Sequence, residues 1–241
     1  MTAIKVEGLV KYYGPIPAVD NITFSVNEGE IFGLIGPNGA GKTTTLRILS
    51  TLLRITSGSA EIFGFDVARQ QDKIRRIISY LPEDAGAYKN LSGEDYLRFI
   101  AKFFSNGKNI ELIVRKGIEI ADLKERIKDK VETYSKGMTR RLLIGRTLMI
   151  DPKLAILDEP TSGLDVINAQ EIRGLIKSFA KQPSGGTAVL LSSHNMLEVE
   201  FLCDRIALIN EGKIVEKGTP QQLKKKYNAQ NIEEVFMRVV E

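Results

Sequence analysis

The chain has 241 residues, with one His, one Cys and no Trp, a formal net charge of +4, and 43% hydrophobic against 27% charged residues. That composition belongs to a globular chain, long enough for one domain or for one domain with a sub-domain inserted in it. A single Cys and a single His exclude a Cys/His zinc site and any intrachain disulfide, so a mechanism that needs an imidazole must use His194.

The mild positive charge permits contact with nucleic acid or a membrane surface and demands neither. No run of about 18 apolar residues occurs, and the N-terminus has no apolar core after a basic start. The expectation is a cytoplasmic protein.

In chain order, Ile4, Val6 and Leu9 share one strand face, and Ile22, Phe24 and Val26 share another. Ile31 to Ile35 is almost wholly apolar, as in a strand covered on both sides. A glycine-rich turn and a helix-like run, Thr43 to Leu53, follow. Strand, glycine loop and helix in that order open a parallel α/β sheet. Residues Ala60 to Val67 read as a short strand and turn, Asp72 to Arg76 as a basic helix, and Ile77 to Leu81 as a strand ending at Pro82.

From Asp84 to Ile150 no strand is expected. Ser92-Gly93-Glu94-Asp95 has capping-box spacing before a helix, Tyr96 to Phe104. Asn109 to Ile120 and Gly137 to Met149 are further helical runs. Strand texture returns at Leu154 to Leu157, with a helix from Val166 to Ala180. A turn is expected at Pro183 to Gly186, a buried strand at Ala188 to Leu191 and a helix at Asn195 to Leu202. Ile206–Ile209 and Lys213–Lys217 flank a hairpin turn at Asn210-Glu211-Gly212. Thr219-Pro220-Gln221-Gln222 starts a helix with Pro in its first position. Ile232 to Val240 is a last amphipathic helix.

Gly36-Pro37-Asn38-Gly39-Ala40-Gly41-Lys42-Thr43 matches the phosphate-loop pattern, with a buried strand before it and a helix after it. Glycines let backbone N–H groups converge on phosphate oxygens, and the helix N-terminus adds a favourable dipole. Lys42 should reach the β- and γ-phosphates, and the Thr43 hydroxyl should ligate Mg²⁺. Leu154 to Leu157 runs into Asp158-Glu159. Two adjacent carboxylates at the end of a buried strand repel each other, a cost that Mg²⁺ would offset. Asp158 is placed for the metal, and Glu159 to orient or deprotonate an attacking water.

With these elements the sequence resembles the ATP-binding subunits of ABC transporters along nearly its whole length. Shorter motifs in the family's order carry the resemblance further. Tyr13, just before Gly14, sits where the family stacks an aromatic on adenine. Tyr80-Leu81-Pro82-Glu83 sits at the Q-loop, and Tyr134-Ser135-Lys136-Gly137-Met138 at the signature. Ser162-Gly163-Leu164-Asp165 resembles the D-loop, and His194 the switch histidine.

The resemblance implies an α/β fold: a P-loop NTPase (RecA-like) mixed-sheet core with an antiparallel β subdomain and an inserted α-helical subdomain. Residues 1–83 and 151–226 would form the ATP-binding core with its β subdomain. Residues 84–150 would be the helical insert carrying the signature, and 227–241 a C-terminal helix. The implied cofactors are ATP and Mg²⁺. The nucleotide would meet Tyr13, Gly36, Pro37, Asn38, Gly39, Ala40, Gly41, Lys42, Thr43 and Thr44. Ser135 and Gly137 would act from a second subunit packed head to tail, and Asp165 of the D-loop would complete the nucleotide-binding set. Thr43, Asp158 and Glu83 are the metal candidates, and Glu159 and His194 the catalytic pair. The partners would be membrane permease subunits and a second cassette, identical or not, at the inner face of the membrane.

Two motifs depart from the family. Glu83 stands where the Q-loop usually carries Gln; it either ligates Mg²⁺ or is a solvated loop acid beside Asp84. The signature usually reads Leu-Ser-Gly-Gly-Gln, and Tyr134, Lys136 and Met138 differ from it, a variant resembling the export-type branch of drug, antibiotic and polysaccharide exporters. A soluble ATPase of the same type, acting on ribosomes or nucleic acid, is the alternative. Those families usually carry two cassettes or a long coiled-coil insert, and this insert is too short for one. Cys203 reads as buried packing and Lys224 to Lys226 as a solvated helix face.

Overall fold

The computed structural model describes residues 1–104, 109–181 and 186–240. Its strands are β1 (Thr2–Tyr13), β2 (Ile16–Asn27), β3 (Ile31–Ile35), β4 (Ser57–Ile62), β5 (Phe65–Asp66), β6 (Ile78–Leu81), β7 (Leu154–Asp158), β8 (Ala188–Ser193), β9 (Arg205–Asn210) and β10 (Lys213–Gly218). Its helices are α1 (Lys42–Leu49), α2 (Gln71–Arg75), α3 (Gly93–Phe104), α4 (Ile110–Ala121), α5 (Lys136–Leu148), α6 (Val166–Ala180), α7 (Met196–Leu202), α8 (Pro220–Lys226) and α9 (Ile232–Val240).

One sheet is antiparallel, in the order β2-β1-β4-β5. Leu9 joins Ile4 and Val6 in the core despite its odd spacing, because the register with both neighbours shifts around Gly8, at φ 57°. That bulge resets which face each later residue takes.

The second sheet runs β10-β9-β3-β8-β7-β6, parallel from β9 to β6, with β10 antiparallel at the edge. Its inner strands are buried on both faces, which explains their unbroken apolar runs. Ile31, Ile35, Leu157, Val189, Leu191, Ile206 and Leu208 point to a core shared with α3 to α9. Phe32, Leu34, Ile156, Leu190 and Ile209 point to a second core against α1 and the antiparallel sheet. Phe24 stacks on Phe32 across the two sheets, with centroids 5.4 Å apart.

From 84 to 150 the described residues form helices and short 3-10 turns, with one isolated bridge between Ser92 and Lys130. Ser92 accepts the Asp95 N–H at 3.0 Å, and its hydroxyl donates to the Asp95 carboxylate at 2.6 Å. The capping box at Thr219 is complete, with Gln222 as the reciprocal partner.

The helix expected to reach Leu53 stops at Leu49. Ser50 turns its hydroxyl back onto the Leu46 carbonyl at 2.8 Å, and Thr51 takes φ 62°, which a helix cannot continue. The turn expected at Pro183 to Gly186 lies outside the described residues except for Gly186.

Candidate active site

The phosphate-loop residues follow β3 and are held on three sides. Gly36 N–H donates to the Ser193 carbonyl at the end of β8, 3.3 Å away, and the Ala40 carbonyl accepts from Gly212 in the β9–β10 turn at 3.0 Å. Gly41 has φ 103°, and a Cβ there would lie 2.4 Å from the Ala18 carbonyl oxygen, so only glycine fits. Gly41 caps α1 with no side-chain bond, and the first turn carries no acid. The positive end of α1 and its N–H groups are thereby left for an anion.

Lys42 begins α1 and is buried. Its Nζ donates to the carbonyls of Gly36 at 2.8 Å and Pro37 at 3.1 Å, and lies 3.4 Å from Glu159 Oε1. Asp158, at the end of β7, is 1% exposed. Its Oδ1 accepts from the hydroxyls of Ser192 at 2.6 Å and Thr43 at 3.2 Å, and its Oδ2 from the Tyr80 hydroxyl at 3.3 Å. Burial, then the charge of Asp158, pushes the Tyr80 phenol up to about 12, against an opposing pull from Arg47.

Glu159 is 3% exposed and sits at φ 48°, a left-handed conformation unfavourable for its side chain. Its N–H donates to Ser192 Oγ at 3.0 Å, and its Oε2 lies 2.9 Å from His194 Nδ1. Its Oε1 has no hydrogen-bond partner and faces the Lys42 charge alone. One cation and a set of hydroxyls thus hold two adjacent buried carboxylates in place.

Glu159 borders two cavities. One, of about 290 Å³, is lined by residues 38–44 together with Ala18 and Glu83. The other, of about 440 Å³, is lined by Thr161 to Leu164, His194 and Phe201 among others. The structure therefore brings together Lys42, Thr43, Thr44, Asp158, Glu159, Glu83 and His194.

The remaining candidates lie elsewhere. Tyr13 is 48% exposed, under the Lys11 ammonium. Ser135 caps α5 by accepting from Met138 N–H at 3.2 Å. Gly137 packs so closely on Asn168 that a Cβ would lie 2.3 Å from Oδ1. Asp165 caps α6 through the N–H groups of Ile167 and Asn168, and these bonds hold its carboxyl below the usual range. None of these four lines the cleft at residues 38–44.

Tyr80 and Ser192 stood in the sequence as a motif letter and a strand-end polar residue, yet both hold Asp158. A fully buried serine at the end of an apolar strand was the available signal. Cys203 is buried as expected. Among the described residues no helix is long and apolar enough to cross a membrane.

A family model described as ABC transporter matches residues 19–162. The bacitracin transport ATP-binding protein BcrA of Bacillus licheniformis is 40% identical over 225 residues, which are 93% of this chain and 72% of that protein. The linearmycin resistance ATP-binding protein LnrL of Bacillus subtilis (strain 168) is 38% identical over 222 residues, 91% of this chain and 70% of that one. A solved structure described as the ATP binding subunit of an ABC transporter matches with a TM-score of 0.85 at 27% identity, covering 99% of this chain and 100% of that one. The chain belongs to the ABC transporter family, as an ATP-binding subunit whose hydrolysis of ATP powers transport.

Proposed function

We propose that the chain binds ATP with Mg²⁺ in the cleft at residues 36–44 and works as one of two cassettes on the inner face of a membrane. The observation that carries this reading is the linked set of Lys42, Thr43, Asp158, Glu159 and His194 at the start of α1, with Glu159 bordering both the cleft at residues 38–44 and the cavity that His194 lines.

The donors suit magnesium. The Thr43 hydroxyl and the Asp158 carboxylate are hard oxygen ligands already 3.2 Å apart, and Glu83 borders the same cleft. Bound Mg²⁺ supplies charge neutralisation to the β- and γ-phosphates. Lys42 exchanges the Gly36 and Pro37 carbonyls for phosphate oxygens. Its departure frees Glu159 Oε1 to take a proton from the attacking water. His194 steers Glu159 through Oε2 from the adjoining cavity that both residues border. Asp158 is held in place by the three hydroxyls of Ser192, Thr43 and Tyr80, which donate to it.

Ser135 and Gly137 do not border their own cleft, so they serve the nucleotide of a second cassette. Val166 and Ile167, exposed at 79% and 72% directly after Asp165, offer apolar surface to that partner. We assign the divided core to 1–83 with 151–226, the helical insert to 84–150 and the C-terminal helix to 227–241. The membrane partners are permease subunits, and the signature variant, with relatives named for antibiotic transport and resistance, favours export. Nothing observed favours the ribosome- or nucleic-acid-acting alternative.

Affinity recovery of the tagged chain from its native membranes tests this reading. Co-purification of a polytopic membrane protein is the expected result. Exclusive recovery with ribosomes or nucleic acid would overturn it.

A further inference from the structure

Arg140 lies on α5, five residues after the cap at Ser135, and is 7% exposed. Its neighbour Arg141 is fully engaged, with the Ala121 carbonyl, Asp122 and Glu171. Arg140 is not. Its Nη2 donates to the Glu83 main-chain carbonyl at 3.2 Å, while its Nη1 is buried with no hydrogen-bond partner among the described residues. A buried donor on a cation left unmet is unusual and expensive, so the site calls for an acceptor.

The two amino groups belong to one rigid planar fork. One already holds the backbone of Glu83, which places the other within a side chain's reach of that residue's carboxylate. Burial lowers the Arg140 pKa, and the charges of Glu83, Asp84 and Glu159 pull the other way, Glu83 most strongly. Glu159 is committed to Lys42 and His194. Glu83 is exposed at the rim of the nucleotide cleft, where an extra negative charge would repel a triphosphate.

We propose that Arg140 is a positioning residue for the Q-loop: its free Nη1 takes the Glu83 carboxylate when nucleotide fills the cleft, fixing the loop and offsetting its charge. A glutamate in the Q-loop is then tolerated because the signature helix of the same chain supplies a counter-charge. The link also ties the start of α5, which faces a second cassette, to the loop that borders this chain's own nucleotide. The inference rests on the nucleotide reading of the cleft.

The test is a double-mutant cycle of Arg140→Met and Glu83→Gln. ATP affinity is measured by calorimetry in EDTA and turnover by phosphate release with Mg²⁺, with thermal midpoints for every variant. Arg140→Met should weaken ATP binding about tenfold or more, because it leaves the Glu83 charge unopposed. Glu83→Gln added to Arg140→Met should restore affinity to the level of Glu83→Gln alone. Equal weakness of Arg140→Met and the double variant, with equal thermal midpoints, would overturn the proposal. In a second measurement that leaves residue 140 intact, guanidinium NMR compares wild type with Glu83→Gln, both bound to a non-hydrolysable ATP analogue. Hindered rotation of the Arg140 Nη groups in wild type and free rotation in Glu83→Gln are expected; identical spectra would overturn it. Failure of the wild-type chain to bind ATP at all would instead sink the nucleotide reading itself.

Discussion

Lys42 and Glu159 form a buried ion pair across the cleft, Nζ to Oε1 at 3.4 Å, with both side chains nearly inaccessible to water. The cation expected to hold phosphate and the acid expected to activate water are thus neutralising each other. Arrival of a triphosphate would separate them, and the catalytic acid would be released by the act of binding.

Removing Lys42 should therefore hurt twice. Lys42→Ala should weaken ATP binding about tenfold or more by calorimetry, through loss of a charge-assisted contact. It should also lower the thermal midpoint, because a buried pair broken on one side costs about 3–5 kcal/mol. Adding Glu159→Gln should recover much of that stability but none of the affinity. Unchanged ATP affinity in Lys42→Ala would count against the phosphate-loop assignment.

Glu159→Gln alone should keep nucleotide binding and lose turnover about a hundredfold or more, the share of a general base. With ATP and Mg²⁺ present, light scattering should report a dimer that wild type forms only transiently. Wild-type phosphate release from this variant would show that another group activates water.

His194→Ala is an unusually clean experiment, since the chain has no other imidazole. The expected outcome is a loss of about tenfold to a hundredfold in turnover, with ATP affinity in EDTA nearly unchanged, because the residue acts on Glu159 and the transition state. Equal losses in both measurements would point to a collapsed site.

Tyr80 should govern alkaline stability. Its folded pKa, about 12, lies above the ordinary 10.0, so the native state holds a proton that the unfolded chain releases first. That stabilisation is complete below about pH 10 and is lost as pH rises toward 12. Tyr80→Phe should flatten the fall of the thermal midpoint across this window, and an equally steep fall in the variant would refute the linkage.

Gly137 is constrained by packing as well as by any role toward phosphate. Its would-be Cβ meets Asn168 Oδ1, and Asn168 is itself tied to Asp165. Gly137→Ala should cost about 1–3 kcal/mol in chemical denaturation as an overpacked contact. Asn168→Ala in the same chain should return part of it. A neutral result would mean that the N-terminus of α6 can shift aside.

The sequence was most legible where function sits on consecutive residues. The phosphate loop, Asp158-Glu159 and His194 each follow a buried strand, and each recognisable pattern is local. Less visible were the residues that hold these groups in place. Ser192 meets Asp158 across 34 positions, Arg140 meets Glu83 across 57, and Tyr80 meets Asp158 across 78. Such pairs are set by strand order and helix docking, which no local pattern reports. The early end of α1 was hidden for a different reason. Residues 50–53 continue the apolar spacing of a helix, and one serine hydroxyl and one left-handed threonine overrule it.

The left-handed backbone at Glu159 carries a consequence for how this site can change. An L side chain there gives up about 1–2 kcal/mol that asparagine or glycine largely would not. Glu159→Asn and Glu159→Gln remove the same charge and differ by one methylene, so their difference sets the backbone gain against that lost packing. The asparagine variant should melt at the higher temperature, and both should share the loss of turnover expected for Glu159→Gln. At this position selection for heat resistance and selection for work pull in opposite directions, and a screen that rewards survival alone would discard the motor first.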